Sequence, residues 1–298
     1  MLDLGPTKKE NLSESISKVL DKALVAHNKA KYEAYRGSGT GEVAAKRIGA
    51  GYVGVECARA LAFKFHKTTP DERESVVSPG ELNRHAESGH WTEEKTCDWL
   101  RLCGFDVSTN QIDRNTGEPL IGYDGGPKQH GFYNAQHPET GQYQLAGEVD
   151  GIIISVPDDL KHLIPVEDGT IWESKKATHK KWTNFKKKGV KDADPKYYGQ
   201  IQVCMAYMGA KRCLFSMLNL DNMKFYWELV EFDQAKAQKL SDRAVSVIQS
   251  NNPFELPRAV SDQTHFVCRF CDYQTSCWNE PEAVKKVDTG STPSWLNK

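Results

Sequence analysis

Three side chains in this sequence have the types and spacing to do chemistry together. Asp150 follows Gly147-Glu148-Val149 and heads the apolar run Gly151-Ile152-Ile153-Ile154; further on, Ile171-Trp172 leads into Glu173-Ser174-Lys175. Alternate residues of a strand share a face, so Glu173 and Lys175 point the same way. If the two strands are neighbours, Asp150 and Glu173 converge beside an ammonium group. Two carboxylates with little else to neutralise them form a hard-cation site suited to magnesium or manganese. Such a cation polarises a phosphodiester and generates hydroxide, while Lys175 orients the water or helps deprotonate it. The plain alternative is an ordinary surface ion pair on a hairpin.

Two flanking helices add polar residues on one face. Before the strands, His90, Glu93, Cys97 and Leu100 fall on a single helical stripe, which sets Glu93 on a partly apolar face where a carboxylate needs a partner. After them, Tyr197, Gln200, Cys204 and Tyr207 share a stripe by the same spacing, and a glutamine there can hydrogen-bond a phosphate or a water. Either helix could equally be showing the polar edge of a core face.

The elements that must position these groups follow from periodicity. Helices are expected from about Leu12 to Arg36, with an apolar stripe of Ile16, Val19, Leu20 and Leu24, from Gly54 to His66, and from Leu82 to Cys103, closed by Gly104. Gly37 to Gly41 reads as a flexible linker. The Gly/Asn/Pro-rich passage up to Gly141 reads as loops or hairpins. Strand patterns dominate Gln142 to Ser155 and Thr170 to Lys175. A helix is expected from Pro195 to Gly209, then a hairpin of Cys213–Leu220 and Lys224–Glu231 turning at Asp221-Asn222, then a helix from Asp233 to Gln249. Residues 1–41 thus form an N-terminal helix and linker, 42–280 the main domain, and 281–298 a disordered tail.

The sequence GEVDG…WESKKA, followed by a helix reading YYGQIQVCM, resembles the PD-(D/E)XK nuclease superfamily. More narrowly it is similar to the phage lambda-exonuclease and RecB-type branch, which includes CRISPR-associated adaptation nucleases and AddAB nuclease domains. The resemblance spans roughly Gly49 to Trp278. It implies an α/β fold with a restriction-endonuclease-like core, a mixed central sheet flanked by helices. It also implies that Asp150, Glu173 and the backbone carbonyl of Ser174 ligate metal and that Lys175 is the catalytic lysine. Glu93 matches the family's helical acid, and Tyr197 and Gln200 match the motif after the core. RecB-type members place a metal-binding histidine in the first helix; His85 and His90 are both candidates, the stripe favouring His90. The acid Asp150 is preceded here by Val149 rather than by the proline of the family pattern.

Cysteines carry a second motif. Cys268-Arg269-Phe270-Cys271 and then Cys277 give C-x2-C-x5-C, three soft ligands within reach of one centre. The spacing resembles the iron–sulfur staple of RecB-type nucleases, in which one cysteine lies before the core and three after it, and Cys57 occupies the matching early position. By that resemblance the four thiolates hold a [4Fe–4S] cluster tying the N-terminal helices to the C-terminal segment. Zinc accepts the same four ligands, so it is the rival. Cys97, Cys103, Cys204 and Cys213 read as small core residues.

Composition fits a soluble globular chain: 298 residues, 39% hydrophobic, with no run of the roughly 20 apolar residues needed to cross a bilayer. The start, Met1-Leu2-Asp3-Leu4-Gly5, lacks a secretory pattern, so the cytoplasm of a bacterial or phage-infected cell is the expected address and thiols stay reduced. The net charge of -1 hides a local excess. From Lys175 to Lys196 there are nine lysines against Asp192 and Asp194, with Trp182 and Phe185 among them. Its segment from Lys180 to Lys191 is expected to grip a DNA backbone, with Trp182 or Phe185 stacking on an unpaired base.

The expected function is metal-dependent hydrolysis of DNA at its ends, in phage-type recombination, replication or DNA processing, with no membrane partner and compatible with a homo-oligomer or a phage recombination or single-strand-binding partner. A structure-specific or restriction-type endonuclease on the same core is the first alternative. A non-catalytic DNA-binding scaffold is the second, weakened by the presence of both acids and the lysine.

Overall fold

The computed structural model describes residues 12–36, 46–72, 77–122, 126–139 and 141–279. The expected linker at 37–41 and tail at 281–298 lie outside them. The chain opens with α1 (Leu12–Arg36), then β1 (Ile48–Gly49), α2 (Ala50–Val53), α3 (Ala58–Phe65) and α4 (Pro79–Leu102). Ser78 and Glu81 close a reciprocal capping box around Pro79, so α4 starts three residues earlier than periodicity implied. Strands β2 (Asp106–Ser108), β3 (His130–Gln136), β4 (Tyr143–Val149), β5 (Gly151–Ser155) and β6 (Thr170–Ala177) follow. The order then runs α5 (His179–Ala193), α6 (Pro195–Met208), β7 (Arg212–Asn219), β8 (Phe225–Glu231), α7 (Gln234–Gln249), α8 (Phe266–Arg269) and α9 (Gln274–Trp278).

The fold is α/β, with mixed sheets flanked by helices. Five strands pair in the order β2-β5-β6-β7-β8, with β6 and β7 parallel and the other pairs antiparallel. A smaller sheet has the order β1-β4-β3, parallel between β1 and β4. The run from Gln142 to Ser155, where strand patterns dominate, therefore holds two strands, and they belong to different sheets. Asp150 is the residue between them. Val149 before it and Gly151 and Ile153 after it are buried, so both strands bury side chains right up to the junction.

Odd and even positions of β6 face opposite layers. Trp172, fully buried, packs with Cys97 and Leu100 of α4, and its indole N–H donates to Ser216 Oγ at 3.0 Å. Ile171 joins the main core with Ile201, Val203 and Cys204 of α6 and Leu240 of α7. Helix α6 begins at Pro195, with the Asp194 carboxylate accepting from the N–H groups of Lys196 and Tyr197, and ends at Gly209 in the left-handed region (φ 72°). It lies against α2 at van der Waals distance: a Cβ on Gly199 would sit 2.7 Å from Gly54 Cα.

Several expectations change. Helix α5 grows from the lysine-rich stretch that had been read as a charge run. It buries Trp182, Phe185 and Val190 while Lys180, Lys186, Lys187 and Lys188 stay exposed. Of the loops or hairpins expected up to Gly141, β3 forms a hairpin strand, because pairing with β4 supplies what its Gly, Asn and Gln content lacks. In α1 the stripe of Ile16, Val19 and Leu20 is exposed. The contacts that dock α1 on α4 are instead polar: Asp21 accepts from Ser78 and Arg84, which lowers its carboxyl below the usual range. No helix among the described residues is long and apolar enough to cross a membrane.

Candidate active site and its surroundings

The bend between β4 and β5 brings Asp150 over β6, where its Oδ2 accepts from the Ser174 N–H at 2.6 Å. Glu173, only 2% exposed, is ion-paired through Oε1 with Lys175, and the Gln200 amide of α6 donates to the same oxygen at 2.7 Å. Glu93 of α4 faces them and accepts from Gln129 at 2.9 Å, through Oε1. The acids, the lysine and the glutamine singled out by spacing thus come together from four separate elements.

Their charges strain against one another. Burial first, and then Asp150 and Glu173, push Glu93 up to about 8, with Lys175 and the Gln129 bond opposing. Glu173 is pushed up to about 7 by burial, then by Asp150, against the pull of Lys175. Asp150 is raised by burial despite Lys175 and its backbone hydrogen bond. Burial lowers the Lys175 ammonium, but Glu173 and Asp150 outweigh it and hold the proton firmly. Three carboxyl groups against one ammonium leave an excess of negative charge in a partly desolvated spot, an environment that suits a small divalent cation. Among the described residues, however, no three His, Cys, Asp or Glu side chains are gathered as a ready-made metal-holding group. Each carboxylate has an oxygen engaged by a protein donor: Lys175 and Gln200 on Glu173, the Ser174 N–H on Asp150, Gln129 on Glu93.

His90 lines the cleft beside Glu93 and Asp150 and lowers Asp150 electrostatically. His85 is not among the residues lining that cleft; its backbone carbonyl accepts from Lys176 at 2.7 Å, a contact that ties α4 to β6. Tyr197 meets Lys175 with its ring, 5.5 Å from Nζ to centroid, and Lys181 lies 4.2 Å over the same ring. Trp182 and Phe185 do not stack on a ligand as expected. Phe185 is fully buried against Phe215 (5.7 Å between centroids, 8° apart) and Trp182 is buried beside His179, because the apolar face of α5 closes the core.

Sequence reasoning missed Gln129, Lys128, Tyr133, Tyr143 and Glu148, which with Asp150, Glu93 and His90 line a cleft of about 720 Å3. A strand reading of His130 to Gln136 would have found Tyr133; no sequence signal marks the others.

At the other end of the molecule the early and late segments are joined. Asp71 donates its N–H to the Asp272 carbonyl at 2.7 Å and accepts through its carboxylate from the Thr275 and Ser276 N–H groups. Phe63 stacks on Tyr273 at 5.2 Å, and the Arg59 Nε donates to the Leu256 carbonyl at 2.6 Å. Cys57, Cys268 and Cys277 are buried here and Cys271 is half-buried, all as free thiols. Burial raises the Cys271 thiol, and the nearby Cys57 and Cys277 add to the rise. They too are not gathered as a metal-holding group.

No family model matches the chain, and no curated protein matches it. Among solved structures it is similar to an alkaline exonuclease from Laribacter hongkongensis, with a TM-score of 0.39 and 13% identity over 68% of this chain and 86% of that one. The same exonuclease in complex with dAMP gives 0.38 and 14%, with the same coverage. The protein SSO0001 gives 0.41 and 14% over 88% of this chain and 96% of that one.

Proposed function

We propose that the chain is a divalent-metal-dependent deoxyribonuclease acting as an exonuclease at DNA ends. The observation that carries this reading is the meeting of Asp150, at the junction of two sheets, with the Glu173–Lys175 ion pair of β6, within hydrogen-bonding reach of the same strand. Glu93, Asp150 and Glu173 are the residues that would hold magnesium or manganese, with His90 and the Ser174 carbonyl as further donors. Their mutual repulsion and the single opposing ammonium favour that ligand. A cation bound there would supply Lewis acidity toward a phosphodiester and a more acidic water.

The chain's own residues do the rest. Lys175, as an ammonium, donates to the attacking water or to a phosphate oxygen, and Gln200 keeps the Glu173 carboxylate turned toward it. In hydrolysis the water oxygen bonds to phosphorus, the bond from phosphorus to one sugar oxygen breaks, and that oxygen takes a proton. The exposed lysines Lys180, Lys186, Lys187 and Lys188 on α5 supply backbone attraction that weakens with salt.

Cys57, Cys268, Cys271 and Cys277 are read as the ligands of one centre, a [4Fe–4S] cluster, with zinc as the rival. Supporting this are four soft donors on two chain segments that already pack together, with Cys57 and Cys277 near enough to Cys271 to raise its thiol. The centre would staple those segments and take no part in hydrolysis.

Purified protein incubated with linear and circular DNA, plus magnesium or manganese, tests the main reading. Degradation of linear DNA alone is expected, abolished by Asp150→Ala and by Lys175→Ala. Cutting of both forms would point to an endonuclease, and binding without cutting to a scaffold.

A further inference from the structure

The cleft of about 720 Å3 beside the carboxylates is of a size that takes small ligands, generally about 300–1,000 Å3. Its lining brings Glu93 and Asp150 together with Tyr133, Tyr143 and Glu148 of the β3–β4 hairpin and with Lys128. The two rings meet at 5.7 Å between centroids, tilted by 52°. Ala135 interrupts the pleat of β3 between them with a left-handed φ of 54°, a conformation uncommon outside glycine. The Tyr133 hydroxyl donates to Glu148 Oε1 at 2.9 Å, which fixes that ring, and the Lys128 ammonium lies 5.2 Å from its centroid. Tyr143 is 44% exposed.

A flat ring half open to water, braced by a second ring and near an ammonium, has the properties of a stacking platform for a nucleobase. Bases inside a duplex have both faces covered by their neighbours, so such a platform selects a base that has left the stack. We propose that Tyr143, held in place by Tyr133, receives an unpaired base of the strand entering the cleft, while Lys128 meets its phosphate. The preferred substrate is then a DNA strand with unpaired bases, single-stranded or frayed at its end. This rests on reading Asp150, Glu173 and Lys175 as the cutting site.

The test measures binding apart from cutting. Fluorescence anisotropy of dye-labelled oligo(dT) and of a blunt duplex hairpin, with calcium replacing magnesium, is compared for the unmodified protein, Tyr143→Phe, Tyr143→Leu and Tyr143→Ala. Loss of one stacked base lowers affinity roughly 5- to 150-fold. Tyr143→Ala and Tyr143→Leu are expected to lose that much on oligo(dT) with the duplex unchanged, and Tyr143→Phe to retain it. The leucine keeps an apolar contact with Tyr133, so its loss separates stacking from mere packing of the hairpin. Unchanged oligo(dT) affinity in the leucine and alanine variants overturns the inference, as does an equal loss on the duplex. Single-strand binding that depends on Tyr143 in a protein that cuts nothing would sink the nuclease reading and leave the platform standing. A protein that cuts, with single-strand affinity indifferent to Tyr143, would do the reverse.

Discussion

The side-chain amide of Gln200 donates to Glu173 Oε1 at 2.7 Å, the same oxygen that Lys175 engages. Helix α6 thereby sets the orientation of a carboxylate that sits on a strand of the sheet. Removing such an outer partner costs about 10–100-fold in metal affinity or activity in known metal sites. Gln200→Ala is expected to lower DNA cleavage by that order, with the magnesium dependence shifted to higher concentration. Activity titrated against magnesium checks this, and an unshifted curve at full rate would remove Gln200 from the machinery.

Glu93 carries the second prediction. Its carboxyl, pushed up to about 8 by burial and by Asp150 and Glu173, is more easily ionised in the unfolded chain than in the fold. For the metal-free protein this term is harmless below the ordinary carboxylate range and erodes stability as pH climbs from there toward 8. Glu93→Gln is expected to stabilise the metal-free protein at neutral pH by about 1 kcal/mol, ~2–4 °C in melting temperature for a chain of this size. It should also reduce the stabilisation that magnesium confers. Thermal melts with and without magnesium decide it, and a lower melting temperature in the metal-free variant contradicts the repulsion argument.

His66 gives a separate pH response, far from the carboxylates. Its Nε2 donates to Ser250 Oγ at 3.1 Å, since that hydroxyl's proton goes to the Val247 carbonyl. Burial, then Lys46, lowers its imidazole below the usual range, with Glu255 opposing. The unfolded chain therefore takes up a proton that the fold resists. Stability is untouched above about pH 7 and falls as pH drops through the ordinary histidine pKa of about 6.5. His66→Gln is expected to flatten denaturant midpoints measured between pH 7 and 5; an identical acid limb in both proteins would exonerate His66.

The cysteines make the fourth. Protein prepared without oxygen is expected to be brown, and Cys57→Ser and Cys271→Ser to lose colour and melt at lower temperature together. Iron and zinc analysis separates the rivals: a colourless protein carrying stoichiometric zinc excludes the cluster. Cys204→Ser, which alters a buried thiol elsewhere, should keep the colour.

The acids and the lysine were legible because strand alternation is a short-range rule: Glu173 and Lys175 need only two residues of β6 to share a face. Gln200 and Glu93 were legible from helical stripes for the same reason. What stayed hidden depended on partners distant in sequence. Asp150 between Val149 and Gly151 reads as the charged head of one strand, and nothing local shows that it also marks a change of sheet. Helix α5 hides a three-residue core face beneath its lysines, and so Trp182 and Phe185 looked available for ligands when they are enclosed. Strand β3 owes its form to β4, and with it the cleft wall of Tyr133 and Tyr143 stayed out of sight.

Because one residue alone separates β4 from β5, the hairpin that carries the tyrosines is a lever with Asp150 as its pivot. Tyr143 opens β4 and Asp150 follows its last residue, so no loop lies between the proposed platform and that acid. If the platform holds a strand, its grip reaches the carboxylate along one continuous strand.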